Sequence, residues 1–198
     1  MTISINPSLT VAPPSSFLAQ TKGFVQGLAL ADPVANQWLA TGAIDSAVTQ
    51  PLWGGIAITE NVAAPGSGAA GNTLDLATTQ VNVTGFTVFN RGYNMITTPG
   101  NTVQTASAGM SMPFFRLGSN IRIPVKCSSA LITAIESNPT NTQVQWDFTN
   151  QQLIPYASGT ALNVKVVALD TNSKTVSYNS GTGAVTWVAP GNVALIQL

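Results

Sequence analysis

The chain of 198 residues contains no histidine, a single cysteine, and very little charge: seven basic and seven acidic side chains. Each shortage excludes a class of chemistry. Without histidine the commonest general base and metal ligand are both missing, so Ser-His-Asp and Cys-His nucleophile systems cannot be built. Cys127 stands alone, which rules out an intrachain disulfide and a thiolate metal cluster. With no imidazole to activate it, Cys127 reads as a small buried thiol, as expected of a chain made in a reducing cytoplasm. No basic-then-apolar leader pattern and no uninterrupted apolar run long enough to span a bilayer is found, so a soluble, non-membrane protein is expected.

Charged residues make up 7% of the chain and hydrophobic residues 44%, whereas an ordinary domain carries about 25% charge. Ser, Thr, Asn, Gln and Gly fill the gap. A disordered chain would combine low hydrophobicity with high net charge, so this composition predicts a globular protein. A formal net charge of zero leaves little repulsion between copies and favours association. Arg116, Arg122 and Lys126 form the one loose basic group, too thin a footprint to neutralise a nucleic-acid backbone.

Several motifs are tested by their surroundings. Gly66-Ser-Gly68-Ala-Ala-Gly71 has dinucleotide-binding glycine spacing, but Asn72 to Leu76 reads as a strand where a helix is required, and Arg91 stands where an acid is needed. Asn82-Val-Thr84 is a formal glycosylation acceptor without a secretory signal. Asp32, Asp45, Glu60, Asp75, Glu136, Asp147 and Asp170 show neither a clustered spacing nor a calcium-loop pattern. A glycosidase pair drawn from two of them is the enzymatic alternative. Trp38, Trp53, Trp146 and Trp187 are too far apart in sequence to define a stacking platform, and Trp146 and Trp187 occupy core-like strand positions. No residue is assigned a catalytic, cofactor-binding or metal-binding role, and no cofactor is implied; the chain is not read as an enzyme.

What remains is a pattern of short strands. Leu162 to Leu169 alternates with the two-residue period of a half-buried strand, Asp170 to Ser173 reads as a turn, and Thr175 to Tyr178 as a second strand. Ala184 to Val188 returns, Ala189 to Asn192 turns again, and Val193 to Leu198 closes the chain on an apolar strand. Upstream, alternation at Leu74 and Leu76, at Val81 and Val83, and around Phe86 and Val88 predicts further strands. Tyr93 to Met112 reads as a long loop, and Ile121, Ile123 and Val125 as one face of a strand. Val144, Trp146 and Phe148 should face a core. Ser128 to Glu136 carries the best helix signal, with a serine N-cap and Leu131, Ile132 and Ile135 at helical spacing; one helical turn is expected near Asp32 to Ala43. The fold class is therefore mainly β, a barrel or sandwich of short antiparallel strands with one short helix.

Residues 1–30 are expected to form an extended N-terminal arm and residues 31–198 a single β-rich domain. Pro7, Pro13 and Pro14 favour extended backbone, and Phe17, Leu18, Phe24, Val25, Leu28 and Leu30 are spaced as in a segment that docks on a neighbouring sheet or groove. An ordinary first strand of the same domain is the other reading.

The proline-rich arm with its apolar tail, the Gln50-Pro-Leu-Trp-Gly-Gly-Ile56 lead into the first strand, and the closing run Asn163 to Leu198 with its Tyr178-Asn-Ser-Gly-Thr-Gly183 turn together make a chain that resembles the capsid decoration, or cement, proteins of tailed bacteriophages. That resemblance implies a structural virion protein on the capsid surface, made in the host cytoplasm. Its implied partners are the major capsid protein and itself, as a homotrimer, with no direct nucleic-acid contact. A receptor- or glycan-binding β domain of a phage tail fibre is the alternative.

Overall fold

The computed structural model describes residues 23–29, 35–63, 71–89, 103–138 and 142–198. Five strands close into a barrel in the order β1-β3-β2-β4-β5: β1 (Ala40–Ile44), β2 (Ala57–Val62), β3 (Asn72–Leu76), β4 (Gly85–Thr87) and β5 (Ser111–Arg116). All neighbours are antiparallel except β1 and β3, which run parallel through Ala43 and Ile44 opposite Thr73 and Leu74. A second sheet has the order β6-β10-β9, from β6 (Arg122–Lys126), β9 (Lys165–Asn179) and β10 (Ala184–Gln197). β7 (Val144–Asp147) and β8 (Gln152–Pro155) form a separate two-stranded ribbon. The mainly-β fold with a barrel and one short α-helix is as the alternation predicts.

The helix, α1 (Ser129–Ser137), begins where its cap requires: the Ser128 hydroxyl accepts from the Leu131 amide at 3.2 Å. Its buried face is Leu131 and Ile132, with Ile135 packed beside them.

Side-chain alternation sorts the molecule into two cores. Ile44, Ile56, Ile58, Leu74, Met112 and Phe114 pack together inside the barrel. Ala57, Phe86 and Phe115, on the other face of the same wall, join Ile123, Val125, Leu131, Val144, Trp146, Ala194 and Ile196 in a second core beneath the sheet and helix. Strand β4 is buried on both faces. Phe86 meets the Trp146 ring edge-on at 5.2 Å, so one aromatic contact fastens the wall to the ribbon.

The turns expected at Asp170–Ser173 and Ala189–Asn192 are corrected: β9 and β10 run unbroken for 15 and 14 residues. The two polar stretches lie opposite each other in the hairpin, where the register shifts between Val188, Gly191 and Val193. Paired bulges bend the ribbon without ending it. One half then packs Ala194 and Ile196 in the outer core, while the other packs Val176, Tyr178, Val185 and Trp187 against the inner one.

Three further expectations change. Val81 does not belong to a strand; Gln80–Asn82 is a 3-10 turn with Val81 exposed. The Gln80 side-chain amide donates to the Trp146 carbonyl at 2.6 Å and accepts from the Trp146 amide at 3.0 Å, taking the place of a paired strand. Ser111 and Met112, counted in the loop Tyr93 to Met112, begin a barrel wall, Ser111–Arg116, whose Pro113 carbonyl accepts from Val88. The helical turn near residue 35 is a 3-10 turn, Ala35–Trp38, leading into β1; Asp32 and residues 90–102 of the expected loop lie outside the described residues.

Residues 23–29, counted with the arm by their composition, are built into the body. Gln26 has no solvent exposure. Its backbone amide donates to Lys174, its side chain accepts from Val176 and donates to Gly54, and the neighbouring Gly27 donates to Pro124 and accepts from Phe89. Gly27 is required here, with φ at +73° and a would-be Cβ 2.3 Å from the Gly54 backbone.

Gln26→Leu would strand the Val176 amide and the Gly54 carbonyl in the interior. The expected loss is about 2–3 kcal/mol, read as a lower denaturation midpoint, while Val81→Ser at an exposed site should move it by no more than about 0.5 kcal/mol.

Candidate functional site

Among the described residues the closest grouping of titratable side chains is at a mouth of the barrel. Glu60 follows Ile58 by two residues on β2 and so points along the barrel interior, as does Arg116, two residues after Phe114 on β5. The guanidinium donates from Nε to Glu60 Oε2 and from Nη2 to Oε1, both at 2.6 Å, and lies over the Phe114 ring at 5.4 Å. Asn72 of β3 donates to the same carboxylate. The Arg116 hydrogen bonds hold the Glu60 carboxyl below its ordinary range against the opposing pull of burial, with the Arg116 charge and Asn72 adding to them. A bidentate pair of this kind closes the mouth as a fixed plug.

Asp75 lies on the opposite face of the β2–β3 ladder, where it accepts from Asn61 at 2.6 Å. The fold therefore does not aim Glu60 and Asp75 at one point. Asp45, Asp147 and Asp170 each accept backbone amides of their own turns. Among the described residues no group of three or more His, Cys, Asp or Glu side chains could hold a metal ion. Arg116 ends β5 and is paired with Glu60, and Arg122 and Lys126 occupy opposite ends of β6. Lys126 is half-buried beside Asp147, and burial lowers its pKa despite that neighbour.

Cys127 is 3% exposed, and burial pushes its thiol up to about 12. Gly71 precedes strand β3, so the glycine-rich stretch does not open a helix; residues 64–70 lie outside the described residues. Trp146 and Trp53 are buried, Trp187 is half-buried under the Lys174 ammonium at 5.5 Å, and Trp38 is 55% exposed. No described helix is long and apolar enough to cross a membrane.

The surfaces carry more than the titratable groups do. Trp38 leads into β1, whose first residue is opposite Phe114, and Val62 ends β2 beyond Glu60, so both emerge at the plugged mouth. Val81 stands on the adjoining turn, which the Thr59 hydroxyl ties to β2 through Asn82. Trp38, Val62 and Val81 are among the most exposed large apolar side chains. Next to them a cleft of about 320 Å³ is lined by Thr41, Asn61, Asn72, Thr73 and Ser111 with small residues between. Its polar groups are hydroxyls and amides, without a charge. Sequence reasoning missed this grouping because only barrel closure brings β1 beside β3.

No protein-family model, no curated protein and no solved structure matches this chain.

Two outcomes are expected. Cys127 should resist thiol reagents at pH 8 in the native protein and react at once in denaturant, as monitored by absorbance. Glu60, with its carboxyl held low in the folded state, stabilises the protein above its unfolded value near 4.5, and that contribution disappears as pH falls through the folded value. Glu60→Gln should therefore flatten the acid limb of stability against pH and cost about 1 kcal/mol or less at neutral pH, since Arg116 is half exposed.

Proposed function

We propose that the protein is a structural decoration protein of a phage capsid, bound to the outside of the shell and bridging neighbouring major capsid protein subunits. The observation that carries this reading is the anchoring of residues 23–29. Everything N-terminal to Gly23 leaves from a point fixed by hydrogen bonds to β9, β6 and the barrel loops. An arm held at its base transmits tension to the body, and a body contact together with an arm contact acts as one strong attachment through effective concentration.

The plugged mouth, with Trp38, Val62 and Val81 outside it, supplies a body contact of suitable character. The near-absence of charge suits a tile set among identical copies. Homotrimeric association around a three-fold position belongs to the same proposal. A second reading, a glycan-binding domain of a tail fibre, draws on the uncharged cleft beside that mouth, whose hydroxyl and amide groups suit a neutral polyhydroxylated ligand.

Co-sedimentation with emptied, expanded heads tests the proposal. The full chain should bind at a copy number within a small factor of the shell protein. A variant lacking residues 1–22, which leaves the anchoring segment intact, should keep its circular dichroism and lose retention. Unchanged retention would refute the bridging role of the arm, and absence of binding by the full chain would refute the capsid assignment.

A further inference from the structure

The cleft beside the plugged mouth is ordered by the strand register. Asn61 on β2 lies opposite Thr73 on β3, Thr73 beside Ala43 on β1, and Ala43 opposite Ser111 on β5. Residues in register project from the same face of a sheet. The buried positions of β1 and β3 are Gly42, Ile44 and Leu74, so the row Asn61, Thr73, Ala43 and Ser111 stands on the outside of the barrel. Four strands spaced by about 4.8 Å make that row about 14 Å long. Three of its members carry an amide or a hydroxyl, and Ala43, with only a methyl group, leaves a gap between them. All four line the cleft.

The gap widens toward the mouth. The parallel strands β1 and β3 are in register at Ala43 with Thr73 and at Ile44 with Leu74; beyond that seam Gly42, Ala63 and Gly71 put nothing larger than a methyl group into the cleft. Thr41 adds a hydroxyl on the same face as Ala43, about 6.6 Å nearer the mouth. Thr41 and Ser111 are exposed and Thr73 is half-buried. The Asn61 amide is held in place by its donation to Asp75 at 2.6 Å.

We propose that this trough binds a neutral oligosaccharide laid across the strands along the row from Asn61 to Ser111, with Trp38 stacking on a sugar ring at the mouth end. The inference rests on the second reading above for the class of ligand, and adds the residues that hold it and the direction in which it lies. A head-bound copy would carry the site as well as a fibre-bound one.

The chemistry of the lining selects the ligand. Hydroxyls and amides both donate and accept, as sugar hydroxyls do, and a row of them suits a ligand that repeats those groups along its length. The lining holds no cation, and the Asp75 carboxylate beside Asn61 repels an anion, so phosphate, sulfate and uronate groups are disfavoured. Val62 is the largest apolar side chain in the lining, which leaves a lipid or an apolar helix little surface to bury. Trp38 is 55% exposed and stands three residues before Thr41, so its Cα lies within about 10 Å of that residue. Its indole offers a flat apolar face to the C–H side of a sugar ring.

The test places the full chain on a printed array of neutral, sialylated and sulfated oligosaccharides, followed by calorimetry with the neutral oligosaccharide that binds best. Neutral glycans should be bound, and longer oligomers more tightly than the monosaccharide. Trp38→Ala should lower affinity about tenfold. Thr73→Val, which keeps the side-chain shape and removes the hydroxyl, should lower it about fivefold. Ala43→Tyr, which fills the gap from an outward-facing position, should abolish binding without lowering the denaturation midpoint, while Val81→Ser, outside the cleft, should bind as the parent does. Absence of any bound neutral glycan, a preference for charged glycans, no gain with oligomer length, or affinity unchanged in both Trp38→Ala and Thr73→Val would overturn the proposal. Co-sedimentation of the parent protein with heads is measured on the same preparation, so failure of the sugar site and failure of the capsid assignment read out separately.

Discussion

Gln26 makes the connection on which the rest of the fold depends. A barrel and a sheet packed on one another need a joint that satisfies every polar group it buries, since an unpaired amide in the interior costs about 1–3 kcal/mol. One uncharged side chain and three residues of backbone meet that need, tying β9 at Lys174 and Val176, β6 at Pro124, and the barrel loops at Gly54 and Phe89. The bend in the long hairpin lies at the same place, so joint and bend hold each other.

The same device recurs. Gln80 bridges to the backbone of Trp146, Gln151 accepts from the Trp146 indole and donates to Phe148, and Gln145 binds the backbone at Ser158, Thr160 and Ala157. Amide side chains offer a donor and an acceptor together, as a peptide group does, and can be buried without the desolvation cost of a charge. The shortage of charge thus has a structural counterpart: joints that ion pairs could make are made by glutamine. Arg116 and Glu60 form an ion pair at a barrel mouth, where the guanidinium keeps contact with water.

Function is read from surfaces for the same reason. Asp45, Asp147 and Asp170 accept from their own turns, Glu60 from Arg116 and Asp75 from Asn61, the thiol is buried, and the features that face outward include exposed apolar side chains at the plugged mouth, an uncharged cleft, and an open strand edge next to the anchored base of the N-terminal segment.

The sequence by itself determined the period-two strands, the helix with its serine cap, the burial of Cys127, Trp146 and the Ile121-Ile123-Val125 face, and the strand that follows Gly71. These depend on neighbours in the chain, and alternation or capping reports them directly. Tertiary structure decided that Asp170–Ser173 and Ala189–Asn192 are matching bulges, because a polar stretch ends a strand unless a partner bends with it. Val81 turned outward because the Gln80 amide replaced a strand, and Ser111–Arg116 became a wall despite Pro113 because the Pro113 carbonyl still pairs. The plug of Glu60, Asn72 and Arg116 and the joint at Gln26 join residues up to 150 positions apart, and only barrel closure and hairpin packing bring such residues together.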